Sequence, residues 1–438
     1  CISSREFLMT LQLKIFFFRM IFKEKQKSQP IEKRQVMEAF NKVRSNKGAS
    51  GVDKLSISEV QSRPMKYLYP VWNRLASGSY FPKPVREVEI PKTDGRIRKL
   101  GIPTVQDRTA QMVIREELEQ IVDKQFSKNS FGYRPNKSAH HAIKQCRENC
   151  MQMDWAIDLD IKRFFDEIDH DLMLKALGYF TNKKHIHLYV KRWLEASVQK
   201  KDSKVYPRSK GTPQGGVISP LLANIFLHVV FDKWIEKHHP KVKFERYADD
   251  IIIHCDNFKQ ALRTLEAVKA RLKQCKLQIK QGKSNIVYCK RNQKKHPPFK
   301  VNYVTFDFLG FTFKPRMVKG YYGNFHLGFT PSISRKSQKR INQTLFKLKL
   351  HRMVHLRLPD LAGIIANKVR GWINYYGKVR MSELHYVFRF LNMRLAKWVR
   401  NKYRRFRRKH WFYAYKWLQE TAKHYPDLFV HWQYGFTP

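Results

Sequence analysis

From Ile31 to Arg44 the apolar residues Val36, Ala39, Phe40 and Val43 recur at three- and four-residue spacing, which predicts a helix with one buried face. Gly48-Ala49-Ser50-Gly51-Val52-Asp53 then ends it with two glycines. A second helix is predicted from Pro70 to Leu75. The period then falls to two: Pro84 to Lys92 alternates apolar with charged residues, Thr93-Asp94-Gly95 signals a turn, and Arg96 to Ile102 returns. That is a β-hairpin with cations at its tip and on its return arm. Residues 106–126 read as a helix with Val113, Ile114, Leu118, Ile121 and Val122 on its apolar side. Trp155 to Ile161 has the pattern of a buried strand, but it carries two acids. Gly215 to Phe231 reads as a long apolar helix, and Phe244 to His254 as strand, tight turn, strand with Ala248-Asp249-Asp250 at the turn. Phe306 to Phe313 is predicted as one strand with Gly310 inside it. After Pro331 the texture becomes helical and basic, so a domain boundary is expected near residue 325. With helices, hairpins and single strands mixed along the chain, an α+β fold is expected.

The 438 residues carry a formal net charge of +50, with 42% hydrophobic and 13% aromatic residues. This apolar content is too high for a disordered chain and supports substantial cores. A free protein of such charge repels itself, so a polyanion is the expected partner, nucleic acid ahead of an anionic membrane. No apolar run reaches about 18 residues, so no membrane span is expected. Residues 331–438 hold 24 Lys+Arg against 4 Asp+Glu. The six cysteines form no C-x-x-C pair and no Cys/His group has zinc-finger spacing, which suggests reduced, buried thiols in a cytoplasmic protein. The chain opens Cys1-Ile2-Ser3. Met20 is expected to be the natural start, with residues 1–19 as extra upstream sequence.

Chemistry concentrates in three acids. Asp249 and Asp250 lie between Tyr247-Ala248 and Ile251-Ile252-Ile253, where desolvation and mutual repulsion are costly and a divalent cation offsets both. A polar hairpin turn explains the same four residues as readily. Asp160, at the end of an apolar strand, favours the cation, because two-metal phosphoryl transfer needs carboxylates converging from separate strands. Asp158 is expected to be structural, on the reading that it lies out of phase with Asp160.

Further motifs occur in order: Asn46 to Asp53; Leu100-Gly101-Ile102-Pro103-Thr104; Ser130-Phe131-Gly132-Tyr133-Arg134-Pro135; Asp160-Ile161-Lys162 through Asp166; Gly211 to Pro220; Tyr247-Ala248-Asp249-Asp250; and Phe308-Leu309-Gly310-Phe311. From about Pro30 to Gly435 the sequence resembles the group II intron-encoded reverse transcriptases, or maturases, of the bacterial type lacking an endonuclease. The resemblance implies a right-hand polymerase: fingers and palm with an antiparallel sheet and helices, then an all-α thumb/maturase domain and a small basic C-terminal segment. The implied divisions are an N-terminal extension 1–29, a fingers extension 30–84, fingers and palm 85–325, thumb/maturase 326–400 and a nucleic-acid-binding segment 401–438.

By the same match, Asp160, Asp249 and Asp250 are the catalytic acids. Together with Ile161 they form the metal site for two Mg²⁺ ions, which activate a primer 3′-hydroxyl and hold the triphosphate. Phe165 stands where this family blocks a ribose 2′-OH, although a core Phe fits there too. Gln214 and Gly215 match the segment beneath the templating pair and incoming nucleotide. Lys92, Arg96 and Arg98 lie on the hairpin expected to close over the triphosphate; a solvated basic edge is the plainer reading. Lys283 matches a lysine that reaches the active site, and a surface lysine suits it equally. Lys99 departs from the family's usual proline.

Val369 to Gly377 resembles the maturase domain, with its aromatic stripe read as core. Arg370, Arg400, Lys402, Arg404, Arg405, Arg407, Arg408 and Lys409 are candidate nucleic-acid contacts, their interleaved aromatics suiting phosphate contact plus stacking. The implied partners are group II intron RNA, an RNA template with DNA primer, target DNA and dNTPs, in the bacterial cytoplasm and at the nucleoid when bound to DNA. With no Cys/His nuclease cluster, second-strand cleavage is not expected. A binding-only maturase with an idle polymerase, or a free-standing relative serving DNA repair or phage defence, would share most of these features. The intact acids argue against the former.

Overall fold

The computed structural model describes residues 29–91, 97–280, 282, 284–291, 297, 299–319 and 323–438. Met20 and residues 1–19, Lys92, Arg96 and Lys283 lie outside the described residues. In chain order the strands are β1 (Val85–Pro91), β2 (Ile97–Ile102), β3 (Trp155–Asp160), β4 (Val198–Gln199), β5 (Val205–Tyr206) and β6 (Lys243–Tyr247). They continue with β7 (Asp250–Cys255), β8 (Asn285–Tyr288), β9 (Phe306–Phe308), β10 (Phe311–Lys319) and β11 (Phe325–Ile333). No described helix is long and apolar enough to cross a membrane.

The chain forms two compact units whose segments interleave. The first comprises residues through Ser127, Lys162–Trp234 and Arg271–Gln278; the second comprises Lys128–Ile161, Ile235–Ala270 and Ile279–Pro438.

In the first unit the helix Lys33–Ser45 buries Val36, Ala39, Phe40 and Val43, as the periodicity predicts. The second predicted helix is longer than its pattern suggests and runs Pro64–Ser77 with Pro70 inside it. A proline within a helical stretch reads as a start, and here Leu68, Val71, Trp72 and Leu75 bury enough surface to carry the helix through it. The helix Val105–Val122 starts at Thr104, whose hydroxyl accepts from the Asp107 amide at 3.1 Å. Strands β1 and β2 pair antiparallel in a sheet of order β2-β1-β4-β5. The apolar helix starts later than its run, at Ser219 with Pro220 in its first turn, and continues from Ser219–Leu227 through a π-helical turn, His228–Asp232, that includes Phe231.

The second unit is built on a sheet of order β6-β7-β3-β8, antiparallel throughout. One sheet face carries Ala156, Ile252 and Val287 into an apolar cluster with Ala142 and Ile143, with Phe306, Phe308, Phe311, Phe313 and Phe329 of β9–β11, and with residues from Ile341 to Phe436. The stretch predicted as one strand is two. Leu309 and Gly310, at φ +50° and +82°, form a two-residue turn joining β9 to β10. A hairpin turn with both residues left-handed matches strand twist, and glycine supplies one of them freely. The Tyr375 hydroxyl donates to the Leu309 carbonyl at 2.9 Å, and Tyr376 is buried, so the aromatic stripe is core. Helices Arg335–Lys347, Leu358–Trp372, His385–Lys402 and Trp411–His424 follow.

Candidate active site

The three acids meet on the second unit's sheet. In the β3–β7 register Asp160 lies directly opposite Asp250, and the β6–β7 hairpin brings Asp249 beside it through a turn between Tyr247 and Asp250. Ala248 in that turn is left-handed at φ +56°, a conformation that costs an L-residue about 1–2 kcal/mol. The surroundings enforce it. The Phe131 amide donates to the Arg246 carbonyl at 2.8 Å, and the Arg246 amide donates to the Asn129 carbonyl at 2.9 Å. The fully buried Arg246 donates Nη1 to the Ala248 carbonyl at 3.2 Å. Gly132 lies so close beneath the turn that a Cβ there would sit 2.5 Å from the Ala248 nitrogen.

Asp160 is fixed by its main chain, its amide donating to Ser284 Oγ at 3.2 Å and its carbonyl accepting from the Lys280 amide at 2.8 Å. Lys280 Nζ also lies 3.6 Å from the Asp160 carboxylate. The sequence reading had no motif that marked Lys280; its place follows from the Ile161–Ile279 bridge, which aligns the two segments. Ile161 is itself buried, leaving its main chain beside Asp160 as its polar contribution.

Asp158 corrects an expectation. Side chains alternate with period two, so residues 158 and 160 share a face, and Asp158 sits opposite Ile252, one step along that face from Asp250. Burial first, then the charges of Asp250, Asp160 and Asp307, raise its carboxyl to about 7. Asp250 keeps a solvent-facing side at the strand end, yet desolvation and the charges of Asp249 and Asp160 raise it to about 7 as well. Carboxylates that suppress one another's ionisation, offering only hard oxygen donors, fit a divalent cation such as Mg²⁺.

A stability test follows from Asp158. Its folded pKa exceeds the ordinary value of about 3.9, so ionisation costs stability as pH rises from about 4 through about 7. In metal-free buffer Asp158→Asn is therefore expected to melt above wild type at pH 8 and close to it at pH 4. An equal difference at both pH values would remove Asp158 from the acid cluster.

In the first unit, Phe164 is buried against Phe226, and Phe165 beside it is half-buried. The segment from Gly211 to Gly215 brings Phe165, Gln214 and β2 together. The Thr212 amide donates to the Phe165 carbonyl at 2.7 Å, and the Gly101 amide donates to the Gln214 carbonyl at 2.9 Å. Arg98 Nε donates to Gln214 Oε1 at 3.0 Å, and Gln214 Nε2 donates to Asp166 Oδ1 at 3.1 Å. Gly215, at φ +130°, comes so close to the Gly101 carbonyl that a Cβ would sit 2.6 Å from that oxygen. Lys99 pairs with Glu87 at 3.3 Å.

The C-terminal cations divide into two sets. Lys402 donates to the carbonyls of Val354, at 3.1 Å, and Leu356, and so anchors the end of its helix. Arg370 donates to Asn367 at 3.2 Å, and Arg400 reaches the Arg407 carbonyl at 3.4 Å. Arg404, Arg405, Arg407, Arg408 and Lys409 are exposed. The aromatics interleaved with them do not suit base stacking: Trp398 and Phe406 are buried, and Tyr403 packs on Trp417. Spacing along a helix puts residues only three or four apart on one face, so the aromatics turn inward as the cations turn out. Exposed aromatics occur instead at Trp411, Phe412 and Tyr413.

Residues 90–313 match the family model described as reverse transcriptase (RNA-dependent DNA polymerase), and residues 338–417 match the group II intron maturase-specific domain. The chain belongs to the reverse transcriptase family, with a helical maturase-specific domain following the polymerase domain. Within it, the chain is 31% identical over 236 residues to the group II intron-encoded protein LtrA of Lactococcus lactis subsp. cremoris, covering 54% of this chain and 38% of that one. It is 35% identical over 203 residues to protein YkfC of Escherichia coli, covering 44% and 52%. Against the putative COX1/OXI3 intron 1 protein of Saccharomyces cerevisiae it is 35% identical over 204 residues, covering 46% and 24%. The matches thus span from 24% to 52% of these relatives' own length.

Proposed function

We propose that the protein is an RNA-directed DNA polymerase that also binds group II intron RNA and assists its splicing and mobility. The observation that carries the polymerase reading is the pairing of Asp160 with Asp250, and of the Asp249 turn beside them, inside the region that matches the reverse transcriptase model. Asp160, Asp249, Asp250 and the main chain of Ile161 would hold two Mg²⁺ ions. When bound, such ions lower the pKa of an attacking hydroxyl and neutralise charge on the triphosphate. The residues themselves fix the site: β3 and β7 hold two carboxylates in register, and the Gly132 cradle aims the third.

For dNTP binding we propose Phe165, Gln214, Gly215 and Arg98, with Lys92, Arg96 and Lys283. Gln214 is held from both sides by Arg98 and Asp166, which fixes its amide and leaves Phe165 beside a rigid loop. Phe165→Ala is expected to raise ribonucleotide incorporation about 10–100-fold relative to dNTP use, because the bulk that excludes a hydroxyl is removed. An unchanged ratio would return Phe165 to the core alongside Phe164.

The maturase-specific match supports intron RNA as partner, and template, primer, target DNA and dNTPs follow from the polymerase reading. The exposed cations from Arg404 to Lys409 would contact phosphates, a sequence-independent source of affinity. The residue divisions 30–84, 85–325, 326–400 and 401–438, and a bacterial cytoplasmic setting, belong to the same proposal. The test is Mg²⁺-dependent primer extension on an RNA template by wild type and Asp249→Ala. Extension by wild type alone supports the polymerase; failure of both, with intron RNA still bound, leaves a binding-only maturase.

A further inference from the structure

On the same face of the sheet as the acids, but toward the opposite end of β3 and β7, a second group of chemistry-bearing side chains converges. Cys146 and Cys150 lie one turn apart on the helix Ala139–Gln152 and face His254 of β7. One ligand atom from each falls within 4.8 Å of the others, and all three residues are buried. Cys150 Sγ is 3.9 Å from His254 Nδ1. In a tetrahedral zinc site with ordinary bond lengths that separation is about 3.6 Å. Cys289, just after β8, is fully buried next to Cys150 but outside the group whose ligand atoms lie mutually within 4.8 Å, so it would have to shift to reach an ion, and its amide donates to the Asp154 carbonyl at 2.8 Å.

The opposite side of the imidazole is equally specified. His254 Nε2 is 2.6 Å from Glu245 Oε1, and Asn149 Nδ2 donates to Glu245 Oε2 at 2.8 Å. Glu245 and His254 are both fully buried. A carboxylate that binds one imidazole nitrogen fixes the other as a lone-pair donor, the arrangement that orients metal-bound histidines. Here that free nitrogen points at the thiols. Three sulfurs and one imidazole nitrogen are a zinc donor set rather than a magnesium one.

The geometry points to a structural zinc site formed by Cys146, Cys150 and His254, with Cys289 drawn in as the fourth ligand on binding, and oriented by Glu245 and Asn149. It would tie the helix Ala139–Gln152 to β7 and β8. Its donors come from three elements spread over more than a hundred residues, which is why no motif spacing marks it. The segment entering that helix contains Gly132, and β7 begins with Asp250, so the site would brace both supports of the acid turn. Binding would release the thiol protons of the cysteines.

The full chain, purified without chelator, is expected to hold about one zinc per molecule by elemental analysis. After chelation, added Co²⁺ should give a near-ultraviolet thiolate-to-cobalt band and visible bands of tetrahedral cobalt. Cobalt at the aspartates has oxygen ligands and gives no thiolate band, so the signal is independent of polymerase activity. Cys289→Ser should lower that band by about a third, since two of three sulfur ligands remain. Wild-type chain that holds no zinc and gives no thiolate–cobalt band would overturn the site. A band undiminished in Cys289→Ser would overturn the assignment of Cys289.

Discussion

Asp249→Ala is expected to extend a primer on an RNA template at least about a thousandfold more slowly than wild type, because losing a carboxylate ligand removes several kcal/mol of charge stabilisation at about 1.36 kcal/mol per decade. The substitution suits the test because Asp249 sits in a turn, half-buried, and not in the apolar cluster. The fold should therefore survive, with circular dichroism and binding of intron RNA unchanged. Removing one of several mutually repelling acids should also lower the raised carboxyl of Asp250, for which Asp249 is the leading charged neighbour. Activity within tenfold of wild type would exclude Asp249 as a metal ligand. The equivalent change at Lys280 is expected to be milder, since Lys280 offsets charge at Asp160 from 3.6 Å without donating to a cation.

Gly132→Ala should also be strongly damaging, without touching a reacting group. The added Cβ would meet the Ala248 nitrogen at 2.5 Å and the Tyr247 carbonyl carbon at 3.0 Å, both main-chain atoms of the turn. Backbone cannot swing aside as a flexible side chain does, so the turn or the Asn129–Phe131 pairing must move. A displacement near 1 Å in an active site costs on the order of 10²-fold in rate. The expected signature is a fall in kcat with intron RNA affinity retained. Gly363→Ala is the matched control, since nothing lies within 4 Å of its added Cβ in the helix Leu358–Trp372, and about 0.5–1 kcal/mol of stabilisation is expected. Equal activity in both variants would show that Gly132 does not aim the acids.

The three acids and their hairpin were legible because a charged pair next to three isoleucines breaks an apolar pattern, and the ordered motifs gave that break a context. Asp158 was misplaced by a phase error on a strand whose period is two. The helix through Pro70 was shortened because local proline chemistry argues for a start, while the burial that overrides it depends on distant partners. Gly310 read as a residue within a strand because Phe308 and Phe311 continue the apolar run across the turn. Lys280 and the His254–Glu245 pair could not be read at all. Their meaning lies in contacts between segments far apart in sequence, which periodicity does not encode. The aromatics among the C-terminal cations were visible, but their direction was not.

One apolar cluster runs from Ala156 and Ile252 on the acid-bearing sheet, with Phe131 beside it, through to Leu361, Phe388 and Phe436 in the maturase-specific helices and beyond. The polymerase sheet is therefore half of the wall on which those helices fold. A descendant that needed only RNA binding could not discard the sheet without exposing that wall to water. Point loss of the aspartates, which contribute charge repulsion rather than packing, would be the easy way to fall silent. Decay in such a lineage should first erase single carboxylates and leave the scaffold around them intact.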